Sequence, residues 1–245
     1  MFSSVKVAMV AAFEREVRLL VKGWPTIPRE YGGRRLKFFE SGESVLVCGG
    51  VGAEAARRAT EAVIVLYQPE LVLSVGFAGA LHPALKVGDI FSPRHVIDAR
   101  DGSSVDTGTG CGVLVSGGTI AGVEQKRKLA NSYGAQAVDM EAAAVARGAQ
   151  ARGVRFMAVK VISDEHDFAM PPMDRFVDAN GRFRAGSFAI FAVLRPSLWS
   201  RVIQLGSSSA KASRALYAEL EGYIRGSKKP EVSEPQSHPI SKVIH

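Results

Sequence analysis

An almost entirely apolar run near the N-terminus constrains the fold of this chain more than any other feature. Residues 5–12 read Val-Lys-Val-Ala-Met-Val-Ala-Ala, and this composition predicts a strand buried on both faces. Glu14 and Glu16 follow it and open a segment that predicts a helix, because carboxylates favour helix N-termini. A buried strand that leads directly into a helix is typical of layered α/β proteins.

The alternation of strands and helices continues along the chain. Further strands are predicted at 36–40, 44–48, 71–75, 87–90, 96–98, 113–116 and 156–162, and helices at 53–67, from about 123 and at 140–152. Residues 102–112 are rich in Gly, Ser and Thr and predict a loop. We therefore expect an α/β fold, a three-layer αβα sandwich with a mixed central sheet, in a single domain over residues 1–225.

The C-terminal part of the chain has a less regular pattern. Prolines and glycine interrupt residues 168–184, and Arg195-Pro196 divides an apolar stretch at 188–205, which predicts two short helices. Residues 210–224 predict a separate amphipathic final helix. Residues 226–245 contain three prolines and no apolar periodicity, so we expect a flexible tail.

Composition limits the classes of protein to consider. The 245 residues are 47% hydrophobic and 22% charged, as in globular proteins. No apolar stretch reaches the roughly 18 residues that a bilayer span needs, and the N-terminus lacks a signal-peptide layout, so a cytoplasmic location is expected. Cys48 and Cys111 form no Cys-x-x-Cys pair, which argues against a zinc or redox motif. The net charge of +7 does not by itself distinguish nucleic acid, an anionic substrate or a membrane surface.

Three acidic residues lie where predicted strands end or helices begin. Asp164 follows Ser163 at the end of a buried strand, where open α/β sheets often bind ligands, although either residue could instead cap a following helix. Glu141 lies at the start of a helix and could simply complement its dipole. Glu16 could be a solvated helix residue. Local sequence leaves both the structural and the chemical interpretation open for each acid.

The combined motifs resemble the nucleoside phosphorylase and nucleosidase superfamily. The resemblance covers roughly residues 5–168, and its motifs are Ala-Phe-Glu-Arg-Glu-Val at 12–17, Gly-Phe-Ala-Gly at 76–79, Val-Gly-Asp at 87–89, Val-Asp-Met-Glu-Ala at 138–142 and Val-Ile-Ser-Asp at 161–164. It implies cleavage of the N-glycosidic bond of a purine nucleoside. Such cleavage needs a proton donor to the base, stabilisation of a cationic sugar and an activated nucleophile. The implied roles are Asp164 as general acid, Glu141 as ribose ligand and Glu16 as water activator.

Within that superfamily the chain resembles methylthioadenosine/S-adenosylhomocysteine nucleosidases, which implies a 5′-substituted adenosine as substrate and adenine as product. Met140 should flank the sugar, and backbone groups near Ala121 could recognise adenine. The chain departs from the nucleosidase pattern at Phe77, where a serine is common, at Lys160, where an arginine is common, and at Ile120, where an aromatic side chain lines the purine. Gly79 and Ser163 complete the expected binding residues.

The C-terminal third is similar to the hopanoid-associated nucleoside phosphorylase branch. That similarity is carried by residues 164–172, 178–182 and 194–197, and it implies adenosylhopane, an adenosine with a large apolar tail, as the substrate. Phe77, Phe168 and Trp199 are the apolar side chains expected to contact such a tail. Basic residues beside apolar ones in this part of the chain could contact a membrane or form a solvated face; they are Arg195, Arg201, Lys211 and Arg214.

The sequence leaves the nucleophile and two other functions open. The first strand leads into Ala-Ala-Phe-Glu rather than a glycine-containing phosphate turn, so water is a credible nucleophile and phosphate is the alternative co-substrate. No cofactor, metal site or nucleic-acid partner is predicted, and the resemblance implies a homo-oligomer, at least a dimer. Gly50-Val51-Gly52 begins a weak match to a dinucleotide-binding fingerprint. An NAD-dependent oxidoreductase and a non-catalytic protein that binds adenosine derivatives are therefore the alternatives.

Overall fold

The computed structural model describes residues 5–178, 181 and 183–225. The strands are β1 Val7–Ala11, β2 Thr26–Tyr31, β3 Arg34–Ser41, β4 Ser44–Cys48, β5 Leu71–Ala80, β6 Ile90–Phe91, β7 His95–Asp98, β8 Ser104–Asp106, β9 Val113–Ser116, β10 Ala137–Asp139 and β11 Arg155–Asp164. The helices are α1 Glu14–Val21, α2 Ala53–Tyr67, α3 Val123–Tyr133, α4 Ala142–Gln150, α5 Ala185–Val193 and α6 Trp199–Ile224, with short 3-10 helices at Asp174–Phe176 and Pro196–Leu198. The predicted α/β class is confirmed.

All these strands form one mixed sheet, as predicted. Its main path runs β2-β3-β4-β1-β5-β10-β9-β7-β8. The long strand β5 lies at its centre, because it pairs in parallel with both β1 and β11 and its last residues pair with β10 in the antiparallel sense. The carboxyl ends of β1, β5 and β11 therefore lie at one edge of the sheet. At this edge β10 pairs with the last two residues of β5, Gly79 and Ala80.

Helices cover both faces of the sheet because its central strands are apolar on both sides. In β1, Ala8 and Val10 pack into a core with α2 and α4, whereas Met9 and Ala11 pack into a second core with α1 and α6. Alternate side chains of a strand point to opposite faces, so a continuous apolar run supplies both cores. The predicted three-layer arrangement follows directly from that run.

Several predicted boundaries were wrong for identifiable reasons. β5 continues through the Gly-Phe-Ala-Gly motif to Ala80 instead of ending at 75, because β11 pairs with it as far as Gly79. β8 lies inside the segment predicted as a loop and is held by pairing with β7. β2 has no buried residue and therefore no apolar alternation to detect. Of the strand predicted at 87–90, only Ile90 is extended, as the first residue of β6.

The C-terminal helices also differ from the prediction. Instead of a short helix followed by a separate final one, α6 is a single helix of 26 residues that begins at Trp199. Pro196 lies before this helix, where it does not interrupt the helical hydrogen bonds. The predicted flexible tail at 226–245 lies outside the described residues. Among the residues that are described, no helix has the length and apolar character needed to span a membrane.

Candidate active site

A cavity of about 520 Å³ opens at the sheet edge where the strand ends meet. Its lining comes from the β1–α1 connection, β5, β10, β11 and the C-terminal helices. Nearly all the binding and catalytic residues predicted from the sequence line it, namely Glu16, Phe77, Gly79, Ile120, Ala121, Met140, Glu141, Ser163 and Asp164. Residues separated by almost 150 positions in the chain are thus brought to one cavity.

Asp164 is buried at the end of β11, with 5% of its surface exposed. Its Oδ1 accepts a hydrogen bond of 2.7 Å from the Ser163 hydroxyl, and its Oδ2 forms an ion pair with the ammonium group of Lys126. The helix-capping alternative is wrong, because the next helical residues in the described part of the chain begin only at 174. Asp164 therefore presents a carboxyl group to the cavity.

Lys126 is a residue of this site that the sequence did not single out. Its side chain is almost fully buried, and besides Asp164 its Nζ donates a hydrogen bond of 2.6 Å to the carbonyl oxygen of Glu165. It shares a face of α3 with Leu129 and Tyr133, which pack into the core beneath the helix. A lysine in an apolar helical register was the available signal, since an unpaired lysine is rarely buried.

Glu16 is the second buried acid of the cavity, with 6% of its surface exposed. Its Oε2 has no hydrogen-bond partner among the described residues. Burial, reinforced by the negative charge of Glu141, raises the pKa of Glu16 to about 8. The alternative of a solvated helix residue is therefore wrong.

Glu141 lies at the N-cap of α4 but does not act as the cap. Its Oε1 accepts a hydrogen bond of 2.8 Å from the backbone N–H of Gly52. The N–H of Ala142 in the first turn of α4 is instead bound by Asp139 Oδ2, at 2.9 Å. Burial, together with the charge of Asp139, raises the pKa of Glu141 to about 7. Asp139 is therefore the residue that caps α4. The carboxyl group of Glu141 is not used as a cap and lines the cavity.

Lys160 supplies positive charge beneath the two glutamates. It lies at 1% exposure in the middle of β11, forms an ion pair of 2.8 Å with Asp139, and donates to the Ser74 hydroxyl at 3.0 Å. Its charge opposes the upward pKa shifts of both Glu16 and Glu141. Lys160 stands where nucleosidases commonly have an arginine, and it therefore still supplies a positive charge that acts on both glutamates.

Two glycines of the Gly-Phe-Ala-Gly motif allow the acids to approach β5. A Cβ atom at Gly76 would lie 2.7 Å from Glu16 Oε2, and one at Gly79 would lie 2.9 Å from Asp164 Oδ2. Gly76 also has a φ of +138°, which side-chain-bearing residues rarely adopt. Any larger residue at either position would displace a cavity carboxylate.

The phosphorylase superfamily matches this chain over residues 6–117 and 105–190. The chain belongs to the phosphorylase superfamily. A 5′-methylthioadenosine/S-adenosylhomocysteine nucleosidase of Staphylococcus aureus (strain bovine RF122 / ET3-1) is 26% identical over 197 residues, which are 64% of this chain and 86% of that protein. This membership confirms the superfamily predicted from the sequence.

Solved structures of this superfamily share the fold. Futalosine hydrolase of Helicobacter pylori strain 26695 aligns with a TM-score of 0.62 and 19% identity, covering 89% of this chain and 98% of that one. The 5′-methylthioadenosine/S-adenosylhomocysteine nucleosidase of Colwellia psychrerythraea 34H, solved with adenine, aligns with a TM-score of 0.61 and 20% identity, covering 89% and 97%.

The cavity lining outside the acids and their partners is largely apolar, and we call it the apolar end of the cavity; it is formed mostly by residues that sequence reasoning missed. They are Phe13, Val51, Met170, Met173, Val177, Phe183, Phe188, Val202 and Leu205. Of the apolar residues proposed for a substrate tail, Phe77 lines the cavity. Phe168 lies instead in a neighbouring cavity of about 430 Å³, and Trp199 is half exposed outside both.

The glycine-rich turn at residues 49–52, before α2, binds the carboxylate of Glu141. The Gly52 N–H donates to Glu141, whereas a dinucleotide fingerprint would use this turn to approach a pyrophosphate. The turn is also held by the C-terminal segment, since the Val51 N–H donates to the carbonyl oxygen of Gly181 at 2.9 Å. This use of the turn disfavours the NAD alternative. Among the described side chains, no group of His, Cys, Asp and Glu could hold a metal ion.

Proposed function

We propose that this protein is a nucleosidase that hydrolyses the N-glycosidic bond of an adenosine derivative with an apolar 5′ substituent and releases adenine. One observation carries the proposal: three acids, Asp164, Glu16 and Glu141, line the polar end of a cavity whose other end is apolar. Superfamily membership and the nucleosidase relatives support the same reaction. The cavity volume of about 520 Å³ lies in the range of small-molecule sites.

Asp164 is the proposed proton donor to the purine, and the ammonium group of Lys126, paired with its Oδ2, is the proposed source of the proton that it passes on. Protonation of the base makes it a better leaving group, and the donor must lie within hydrogen-bonding distance of the ring nitrogen. Ser163 and Lys126 hold the two carboxyl oxygens of Asp164 from two directions, which fixes the orientation of the acid. Ile120 and Ala121, at the same end of the cavity, are proposed to pack against the base.

Glu141 and Glu16 are proposed to act on the sugar and on the nucleophile. A carboxylate at Glu141 can accept hydrogen bonds from ribose hydroxyls and stabilise positive charge that develops on the ring. Glu16 has a free carboxyl oxygen in a buried position and a pKa near 8, which suits a general base that works near neutral pH. Met140, which also lines the cavity, is proposed to pack against the sugar.

Water is the proposed nucleophile. A phosphate anion in this cavity would lie close to Glu16 and Glu141, and like charges at such distances repel. The cationic side chains that line the cavity are Arg15, which is exposed, and Lys126, which is paired with Asp164. The cytoplasmic location and the homo-oligomer remain predictions from sequence.

The experiment that tests the proposal is adenine release from methylthioadenosine, S-adenosylhomocysteine and adenosylhopane, each with and without phosphate. We expect release that does not depend on phosphate and that is fastest for a substrate with an apolar 5′ substituent. Strict dependence on phosphate would make the protein a phosphorylase. A protein that binds these nucleosides and releases no adenine from any of them would be a binding protein instead.

A further inference from the structure

The surface formed by α5 and the start of α6 is the most apolar exposed region of the described chain. Five large apolar side chains there are between 50% and 72% exposed: Ile190, Val193, Leu194, Trp199 and Ile203. The four other strongly exposed ones, on α1, α2 and α3, reach at most 44%. We call these five side chains the apolar rim.

The members of the rim lie together because of helix periodicity. Val193 and the C-cap residue Leu194 lie three and four residues after Ile190 at the end of α5, and Trp199 and Ile203 are one turn apart on α6. The Trp199 indole N–H donates to the carbonyl oxygen of Ala192 at 3.1 Å and so ties the two helices together. Exposed apolar groups on neighbouring helices form an interaction surface rather than scattered single side chains.

The charge around the rim has a single sign. From residue 179 to residue 218 the sequence contains six Lys and Arg residues and no Asp or Glu. Arg195, which directly follows Leu194, is exposed, as are Arg184 at the start of α5 and Arg201 on α6, and no carboxylate of the described residues lies within ion-pair distance of them. The guanidinium of Arg195 lies 3.9 Å from the centre of the Phe191 ring, which holds that charge at the surface.

Other faces of these helices line the active-site cavity. Phe188 of α5 and Val202 and Leu205 of α6 belong to the apolar end of the cavity, whereas the rim residues lie outside it. Val202 on the cavity wall and the exposed Ile203 are consecutive residues of α6, so the cavity and the rim occupy different sides of the same helical turn.

We propose that the apolar rim docks onto an anionic lipid surface, so that an apolar 5′ substituent can pass from the lipid into the cavity. The route for the substituent rests on the proposed function, whereas the docking rests on the rim alone. Apolar and aromatic side chains flanked by Arg are the features of segments that lie in the plane of a membrane interface. Each basic residue near an anionic leaflet strengthens binding by about fivefold.

The test measures co-sedimentation of the full chain with vesicles of phosphatidylcholine, alone or mixed with phosphatidylglycerol. We expect binding to the mixed vesicles to be at least about tenfold stronger, from the exposed arginines on or next to the two helices that carry the rim. It should weaken as salt rises from about 0.1 M to about 1 M, because the Debye length shortens. A Trp24→Phe variant leaves Trp199 as the reporter of the two tryptophans, and its fluorescence should shift to the blue on binding.

A double variant, Leu194→Glu with Ile203→Glu, separates docking from catalysis, since neither residue lines the cavity. It should lose vesicle binding while it releases adenine from methylthioadenosine at the wild-type rate. The matched control is Leu19→Glu with Val123→Glu, which changes the charge equally at exposed apolar positions on other helices and should bind as the wild type does.

Two outcomes would overturn the proposal. If the wild-type protein binds the two kinds of vesicle equally well, an anionic lipid surface is not the partner of the rim. Sedimentation velocity without lipid gives the second outcome. If the wild type is an oligomer and the Leu194→Glu, Ile203→Glu variant is a monomer, the rim is an interface between copies of the chain. Either result leaves adenine release from methylthioadenosine intact, whereas failure of the proposed function abolishes that release with or without vesicles.

Discussion

The two ends of the cavity are built differently. The polar end is formed by buried charges on or beside the central strands, where Asp164, Lys126, Asp139 and Lys160 hold one another in two ion pairs. The apolar end is formed by the C-terminal segment, where α5 packs against α6 and aromatic rings pack against one another, as Phe183 does on Phe188 at 5.5 Å. Under the proposed function, this difference places the reaction chemistry on the sheet and substrate selection on the C-terminal helices.

If this division is correct, the largest effect should come from the polar end, at Asp164. Asp164→Asn retains the shape of the side chain but cannot supply the proton, so kcat should fall by about 10²- to 10⁴-fold. Adenine release from methylthioadenosine is the measurement. Asp167→Asn, at an exposed carboxylate on the same segment, is the control and should leave kcat unchanged. Equal losses in the two variants would show that Asp164 is not the proton donor.

Glu16→Gln should have the next largest effect on rate, a loss of about 10²-fold in kcat, because the base that activates water is removed. In the wild type, kcat/KM should rise with pH up to about 8, since the pKa of Glu16 is near 8 and the ionised form is the base. The Gln variant should lose this rise. Glu14→Gln, exposed on the same helix, should keep both the rate and the pH profile.

The same substitution should stabilise the fold. Because the pKa of Glu16 is raised from 4.5 to about 8 in the folded protein, the folded state favours the neutral form, and stability falls as pH rises from about 4.5 to 8. Glu16→Gln is neutral throughout, so its advantage in Tm should grow between pH 5 and pH 8, by about 2–4 °C for each kcal/mol gained. A Tm difference that is constant with pH would contradict the buried, free carboxyl group.

Lys126→Met tests whether the ion pair orients Asp164, and it should lower kcat by about tenfold through misplacement of the acid. It should also lower Tm, because removal of one partner leaves the other charge buried and costs about 3–5 kcal/mol. Adding Asp164→Asn should restore most of the Tm and none of the activity. Lys128→Met, exposed on the same helix, is the matched control. If the double variant is as unstable as Lys126→Met, the lysine stabilises α3 rather than the acid.

The sequence predicted the polar end well because that end depends on local patterns. Asp164 and Glu16 lie at the end of, or shortly after, strands whose apolar composition was recognisable, Glu141 lies at the start of a recognisable helix, and parallel strands bring their carboxyl ends to one edge. Lys126 was missed because its partner Asp164 lies 38 residues away, and α3 showed only weak amphipathic character around a lysine. Asp139 was likewise overlooked in favour of Glu141, since the capping bond to Ala142 depends on the conformation of the turn between them.

The apolar end was predicted poorly because its residues carry no chemical signature. Phe168 and Trp199 were chosen by residue type, yet the structure places Phe183, Phe188 and Leu205 in the cavity instead. Which apolar side chain faces inward depends on the packing of α5 against α6, and that packing is a tertiary property. For the same reason α6 was not predicted as one continuous helix. Different parts of its surface face the cavity, the core and solvent, so it has no single apolar pattern along its length.

Leu205→Ala should have the smallest effect, and it should be confined to the substrate tail. The truncation removes apolar contact from the part of the cavity lining that α6 supplies, so kcat/KM for an adenosine with a long 5′-alkylthio chain should fall by about fivefold. The value for methylthioadenosine should barely change, because its methyl group reaches less of that surface. Leu66→Ala, on the exposed side of α2, is the control. An equal loss for both substrates would mean that Leu205 supports the acids rather than the tail, and the division between the two ends of the cavity would not hold.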